Sequence, residues 1–207
     1  MVVCLAVSVA LVVTNIFIPL KYLSSYLVNA EERAEGTLSI SFVDVGYGDC
    51  TVVQFPDGKN MLIDGGDGTY FNNSRVLKEL NFRGIDKIDY LICSSVASYR
   101  CGGLAEIIRY KEVGEVYAPY CPATYINDEY RNFTVEIKKR GITPKISEYG
   151  AGVFVDGAGY NFCILSPSSH KLPDGEYGDL SVEPSKENTN AASAVIWIEF
   201  NGKGFLL

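Results

Sequence analysis

Phe42-Val43-Asp44-Val45-Gly46-Tyr47-Gly48-Asp49-Cys50 decides how this 207-residue chain is organised. Ahead of the turn, Thr37 to Val43 alternates and is β-branched, which predicts a half-buried strand. At the centre, Gly46-Tyr47-Gly48-Asp49 is turn chemistry, with Asp side chains placed to bond local amides. Beyond it, Cys50 to Phe55 resumes a strand, Pro56-Asp57-Gly58-Lys59-Asn60 is a hairpin turn, and Met61 to Asp64 is a third strand. Three antiparallel strands in this order form a meander.

Past Asp64 the pattern switches to alternating helix and strand. Ser74 is placed to cap a helix through Leu80, with Gly84 near its end. Ile88 to Cys93 reads as a buried strand, Gly102 to Tyr110 as a short helix and Val113 to Ala118 as another strand. Thr124 to Arg140 carries apolar residues at helical spacing and stops at Gly141. Strands follow around Val153 to Val155, Asn161 to Leu165 and Ala192 to Phe200, with a polar, acidic loop from Ser166 to Asn190. Asn201-Gly202-Lys203-Gly204 is a turn, and Leu207 falls inside the next strand. A meander followed by βαβ units predicts a layered α/β domain with a mixed sheet, from residue 37 to 207, incomplete at its carboxyl end.

Hydrophobic residues make up 47% of the chain, enough for a sizeable core. Charge is acidic, 25 Asp and Glu against 18 Lys and Arg for a net −7, which argues against direct binding to a nucleic-acid backbone. The one cationic run, Lys138-Lys139-Arg140, suits the last turn of a helix. Met1 to Leu20 carries no charged side chain and has the length of one membrane-spanning helix, followed by Lys21 and by Tyr22 and Tyr26 at interface positions. Residues 1–29 are therefore read as an uncleaved transmembrane anchor, against a secretory signal cut near Val28-Asn29-Ala30, or the last helix of a longer membrane domain. Residues 30–36 are a polar linker.

Among six cysteines, Cys50, Cys93 and Cys163 lie in strand-like runs as small core residues, whereas Cys101 and Cys121 fall in loops. No C-x-x-C pair is present, which speaks against a structural zinc site. The single histidine, His170, lies in the polar loop, and alone it cannot supply a multi-ligand metal site or a convincing Ser-His-Asp arrangement.

Several of these segments carry a family likeness. Phe42 to Cys50 is similar to the F-x-D-V-G-Q-G-D-[AS] opening of one metallo-β-lactamase subgroup, which includes the C-terminal domains of ComEC-type competence proteins at the DNA-uptake channel. Leu62-Ile63-Asp64-Gly65-Gly66 resembles its L-I-D-G-G strand end, and Ile88 to Ile92 with Gly102-Gly103-Leu104 the elements flanking its metal loop. Glu187-Asn188-Thr189-Asn190 through Ser193 and Val195 resembles its late E-N-x-N-x-S-x-V stretch, and Gly204 to Leu207 the strand before its T-G-D. The likeness runs from Leu38 to Leu207 and implies an αββα fold holding zinc or manganese.

The metal loop itself departs from that family. Its T-H-x-[DH]-x-D-H-x-G-G-L is here Ser94-Ser95-Val96-Ala97-Ser98-Tyr99-Arg100-Cys101-Gly102-Gly103-Leu104. Ser95 and Arg100 stand at the outer His positions, Ala97 at the middle ligand and Tyr99 at the Asp. Hydroxyl, methyl and guanidinium groups do not hold a divalent cation as imidazole and carboxylate do. The expectation is a domain with no metal and no catalytic residue. It would be membrane-anchored, extracytoplasmic, and kept for binding or scaffolding of a protein partner, with a link to DNA uptake as the resemblance implies. The competing reading is a metal-dependent phosphodiesterase whose ligands come from beyond Leu207 or from a partner. The resemblance makes Asp64 a residue that supports a metal-binding His; without metal, Arg100 would pair with Asp64 or Asp44, or else point into solvent. Cys101 and Cys121, after two successive strands, would form a disulfide outside the cytoplasm or remain free thiols. Oligomeric state is not legible.

Overall fold

The computed structural model describes residues 22–29, 34–119, 121, 127–148, 150–154, 159–167, 171–172, 175–176 and 192–207. The anchor reading of Met1 to Leu20, most of the polar loop and His170 lie outside the described residues. Among the described residues no helix is long and apolar enough to cross a membrane.

The expected meander is present: β1 (Ser39–Phe42), β2 (Thr51–Gln54) and β3 (Asn60–Ile63) run antiparallel in sequence order. β4 (Lys87–Ile92), β5 (Glu112–Ala118) and the two-residue β6 (Lys145–Ile146) then add in parallel, giving a six-stranded mixed sheet in the order β1-β2-β3-β4-β5-β6. A second, antiparallel sheet has the order β12-β11-β8-β7, from β7 (Gly152–Phe154), β8 (Tyr160–Ser166), β11 (Val195–Phe200) and β12 (Lys203–Leu206). A small ribbon, β9 (Lys171–Leu172) with β10 (Gly175–Glu176), lies where a loop was expected. Lys203 and Gly204, expected in a turn, begin β12; the turn is Asn201-Gly202, both at positive φ.

Neighbouring residues of the central strands feed two cores. Val52, Leu62 and Leu91 join Val76, Leu104, Ile107 and Phe133 on the helical side. Val53, Ile63 and Ile92 join Phe162, Ile164, Ile196 and Ile198 between the sheets. A strand buried on both faces loses polar alternation, which is why these segments read as continuous apolar runs. Each such side chain contributes about 1.5–3 kcal/mol on burial.

The helices are α1 (Leu23–Tyr26), α2 (Tyr70–Phe82), α3 (Ser98–Cys101), α4 (Leu104–Tyr110) and α5 (Asp128–Lys139). Residues of α2, α4 and α5 build the core on one side of the six-stranded sheet, so the described residues form three layers, helices, sheet and sheet. A second helical layer, as in αββα, is not among them. α2 starts at the Thr69 cap, whose side chain accepts from the Asn72 amide, and not at Ser74. Ser74 lies inside the helix, where its carbonyl and hydroxyl meet the Ser25 hydroxyl. Asn127 caps α5 through its Oδ1 and donates 2.6 Å to the Val96 carbonyl, tying that helix to the loop after β4. Asn127→Ala is expected to cost about 1–2 kcal/mol, one cap plus one further bond, read as a lower urea midpoint.

Tyr22, placed at a membrane interface by sequence, is instead packed into the domain. It is 1% exposed, stacks on Tyr70 at 5.4 Å and donates 3.1 Å to Glu106 Oε1. Segment 22–29 is held further by Asn81, which donates to the Ser25 carbonyl at 2.7 Å.

Candidate functional site

The carboxyl ends of parallel strands leave backbone groups and loops facing a common crevice, the usual place for a site in such sheets. Here the ends of β3 and β4 meet the β1–β2 turn. Asp64 follows β3 at φ 60, a left-handed conformation that Asp tolerates because its side chain bonds locally. That turn aims its carboxylate under the loop after β4. Ser94 secures it twice, the amide donating 2.7 Å to Oδ1 and the hydroxyl donating to Oδ2. Asp64 is 2% exposed. Burial pushes its carboxyl up to about 6, against the Ser94 bonds and the Arg100 charge, which pull it down.

Arg100, on α3, closes the site. Its Nη1 donates 3.1 Å to the Ser94 hydroxyl and its Nε lies 3.0 Å from Asp49 Oδ2. Arg100 therefore reaches Asp64 through Ser94, and its direct carboxylate partner is Asp49, a residue of the β1–β2 turn that the sequence pattern does not single out. Asp44, the other expected partner, lies on the surface and pairs with Arg75 at 3.2 Å. The two aspartates sit on opposite sides of the Gly46–Gly48 turn, so only the fold separates their roles. The guanidinium and Asp64 line a cleft of about 230 Å³ whose apolar wall includes Phe42, Ile63 and Ile196.

The remaining loop residues are spread apart. Ser95 is buried, and its hydroxyl accepts the Ala97 amide at 3.3 Å. Ala97 precedes α3, and the Tyr99 ring lies 5.1 Å from that of Tyr47. Cys101 is buried and Cys121 half-buried, and both pack in the same apolar cluster. Burial, then the neighbouring Cys101, pushes the Cys121 thiol up to about 11, and burial raises Cys93 well above the ordinary thiol range.

Zinc or manganese, which the resemblance implies, does not fit these residues. Ser95 is used in a local turn, Ala97 has no donor atom, Tyr99 is engaged with Tyr47, and a fixed cation stands between Asp49 and Ser94. Among the described residues no three His, Cys, Asp or Glu side chains converge to hold an ion. What the arrangement can do is present a guanidinium and a titratable buried carboxyl at the floor of a small, half-apolar cleft.

The scaffold around it depends on close backbone approach. A Cβ on Gly103 would lie 2.0 Å from the Gly65 carbonyl oxygen, and one on Gly48 2.1 Å from that of Tyr99. Gly65 and Gly66 donate to the Arg100 and Asp49 carbonyls at 2.8 and 3.0 Å, locking the three loops together.

No family model matches the chain, and no curated protein matches it in sequence. In shape it is similar to solved structures of metallo-β-lactamases. An HARLDQ-motif mutant enzyme from Cronobacter sakazakii is 16% identical, TM-score 0.47, covering 81% of this chain and 59% of that one. FEZ-1 from Legionella gormanii is 12% identical, TM-score 0.46, over 87% and 63%. GOB-18 from Elizabethkingia meningoseptica is 12% identical, TM-score 0.46, over 91% and 62%. The chain thus spans 59% to 63% of the length of these structures.

Proposed function

We propose that this chain is a membrane-tethered, non-catalytic domain of metallo-β-lactamase-like fold, related to the ComEC-type subgroup and kept for binding or scaffolding. Support comes from the order of its motifs along a β-meander and βαβ units, and from a site at the carboxyl ends of the parallel strands. The observation that carries the loss of catalysis is the Arg100 guanidinium, seated between Asp49 and the Ser94–Asp64 pair. A metal-hydroxide hydrolase needs a divalent ion to lower the pKa of water. A resident guanidinium repels such an ion and cannot deprotonate to bind one. The uncharged run Met1 to Leu20 supplies the tether, and the domain lies outside the cytoplasm beside an envelope or DNA-uptake assembly, engaging a protein partner.

Elemental analysis of the purified chain, with hydrolysis of a chromogenic phosphodiester in added zinc or manganese, tests this. The expected result is no stoichiometric metal and no turnover above buffer. Tightly held metal together with turnover would establish the metal-dependent hydrolase instead.

A further inference from the structure

On α2, Phe71, Arg75, Lys78 and Phe82 recur at i, i+4, i+7 and i+11, so they share one face. That face is uncovered: Phe71 is 63% exposed and Phe82 38%, and Lys78 is exposed as well. Two aromatic rings thus flank two cations. The Arg75 guanidinium lies 4.4 Å from the Phe71 ring centre while it also pairs with Asp44, and Glu79, the one acid within α2, is engaged by Arg83 at 2.6 Å. Beside this stripe runs α1, fixed along α2 by Ser25 and Asn81, and it adds Leu27, 74% exposed. In a chain of net −7, a face of exposed aromatics, leucine and cations is a local exception.

Its position gives it an occupant. Tyr22 is anchored on Tyr70 at the start of α2, next to Phe71. In sequence Tyr22 follows Lys21 and the twenty residues without a charged side chain, Met1 to Leu20. Aromatic rings and basic side chains on one helical face are the composition that lies at the boundary of headgroups and acyl chains. We infer that the α1–α2 face rests on the lipid surface, so that the tether holds the domain in one orientation. This rests on the membrane-tethered reading above. Segment 22–29 is then a rigid elbow between membrane and domain, which accounts for the burial of Tyr22 and Ser25 outside the core the two sheets share.

The test places tryptophan at Phe71, where the exposed site accepts it, in the full chain carried by phosphatidylcholine and phosphatidylglycerol vesicles. Leu206→Trp, on β12 of the second sheet, serves as the remote comparison and Trp197 as the common background. With acyl chains brominated near the headgroup, Phe71→Trp is expected to lose about half of its added emission, as burial roughly 5–10 Å into the interface requires. Leu206→Trp is expected to lose none. If the chain floats with the vesicles and Phe71→Trp is unquenched, the tether stands and the docked face is refuted. A chain that does not float refutes both. Shielding of Phe71→Trp from acrylamide before lipid is added assigns the face to another part of the chain or a second copy, and also overturns the inference.

Discussion

Gly103→Ala is expected to destabilise the domain by about 3 kcal/mol or more, at the upper end of overpacking costs. The new methyl would stand 2.0 Å from the Gly65 carbonyl oxygen, and its other neighbours include Asn73 Oδ1 at 2.7 Å. Backbone cannot swing away as a side-chain end does. Both loops are also fixed, since Gly103 donates to the Gly66 carbonyl and Gly65 to that of Arg100. Gly84→Ala separates this clash from a generic glycine effect: Gly84 has φ 64 but nothing within 4 Å, so its loss is limited to left-handed strain of about 1–2 kcal/mol. Urea midpoints of the two variants check the ranking. Equal losses would show that the approach of the loops is not what Gly103 secures.

The second large effect is a dependence on pH. The folded Asp64 carboxyl titrates near 6 against an ordinary value of 3.8, raised by burial. Because the folded value lies above the unfolded one, the fold binds the proton more tightly than the unfolded chain does. The contribution is fully present below the unfolded value and is lost as pH rises through the folded one. That amounts to about 3 kcal/mol between roughly pH 4 and pH 7, as an order of magnitude. Asp64→Asn keeps a residue that tolerates left-handed backbone and an oxygen to accept the Ser94 amide, but it does not titrate. The stability of the wild type relative to Asp64→Asn should therefore fall by about 3 kcal/mol over that window. Equilibrium urea curves at successive pH values measure it. A constant difference between the two proteins would mean that the Asp64 carboxyl is not held in its buried, raised state.

Local chemistry was legible where two signals coincided. Alternation next to Gly46–Gly48 and Pro56–Asn60 predicted β1 to β3 and their pairing, and Gly84 and Gly141 marked helix ends, both at positive φ. The start of α2 was missed because its first turn, Tyr70-Phe71-Asn72-Asn73, lacks good helix formers, while Ser74 imitates a cap. β6 and the β9–β10 ribbon are two-residue pairings below any periodic signal. In the site, Asp64 and Arg100 could be picked out by position, but not the Ser94 that links them, and Asp49 and not Asp44 meets the guanidinium. That choice depends on how the turn folds over β3, a long-range matter. Tyr22 shows the same limit: a tyrosine just after an apolar run looks interfacial, and only the fold supplies Tyr70 and Glu106.

The residues around the cleft fall into two physical kinds. Gly65, Gly66, Gly102 and Gly103 permit the loops to touch. Ser95, Ala97, Tyr99 and Arg100 bring hydroxyl, methyl, phenol and guanidinium groups to the loop after β4, a poor set of donors for a divalent ion. Calorimetric titration of zinc and of manganese into the full chain and into Asp64→Asn tests that division most directly. The account predicts only weak heats, the same for both proteins. One equivalent of ion bound at micromolar affinity or tighter by the wild type, and weakened about tenfold or more in Asp64→Asn, would contradict it.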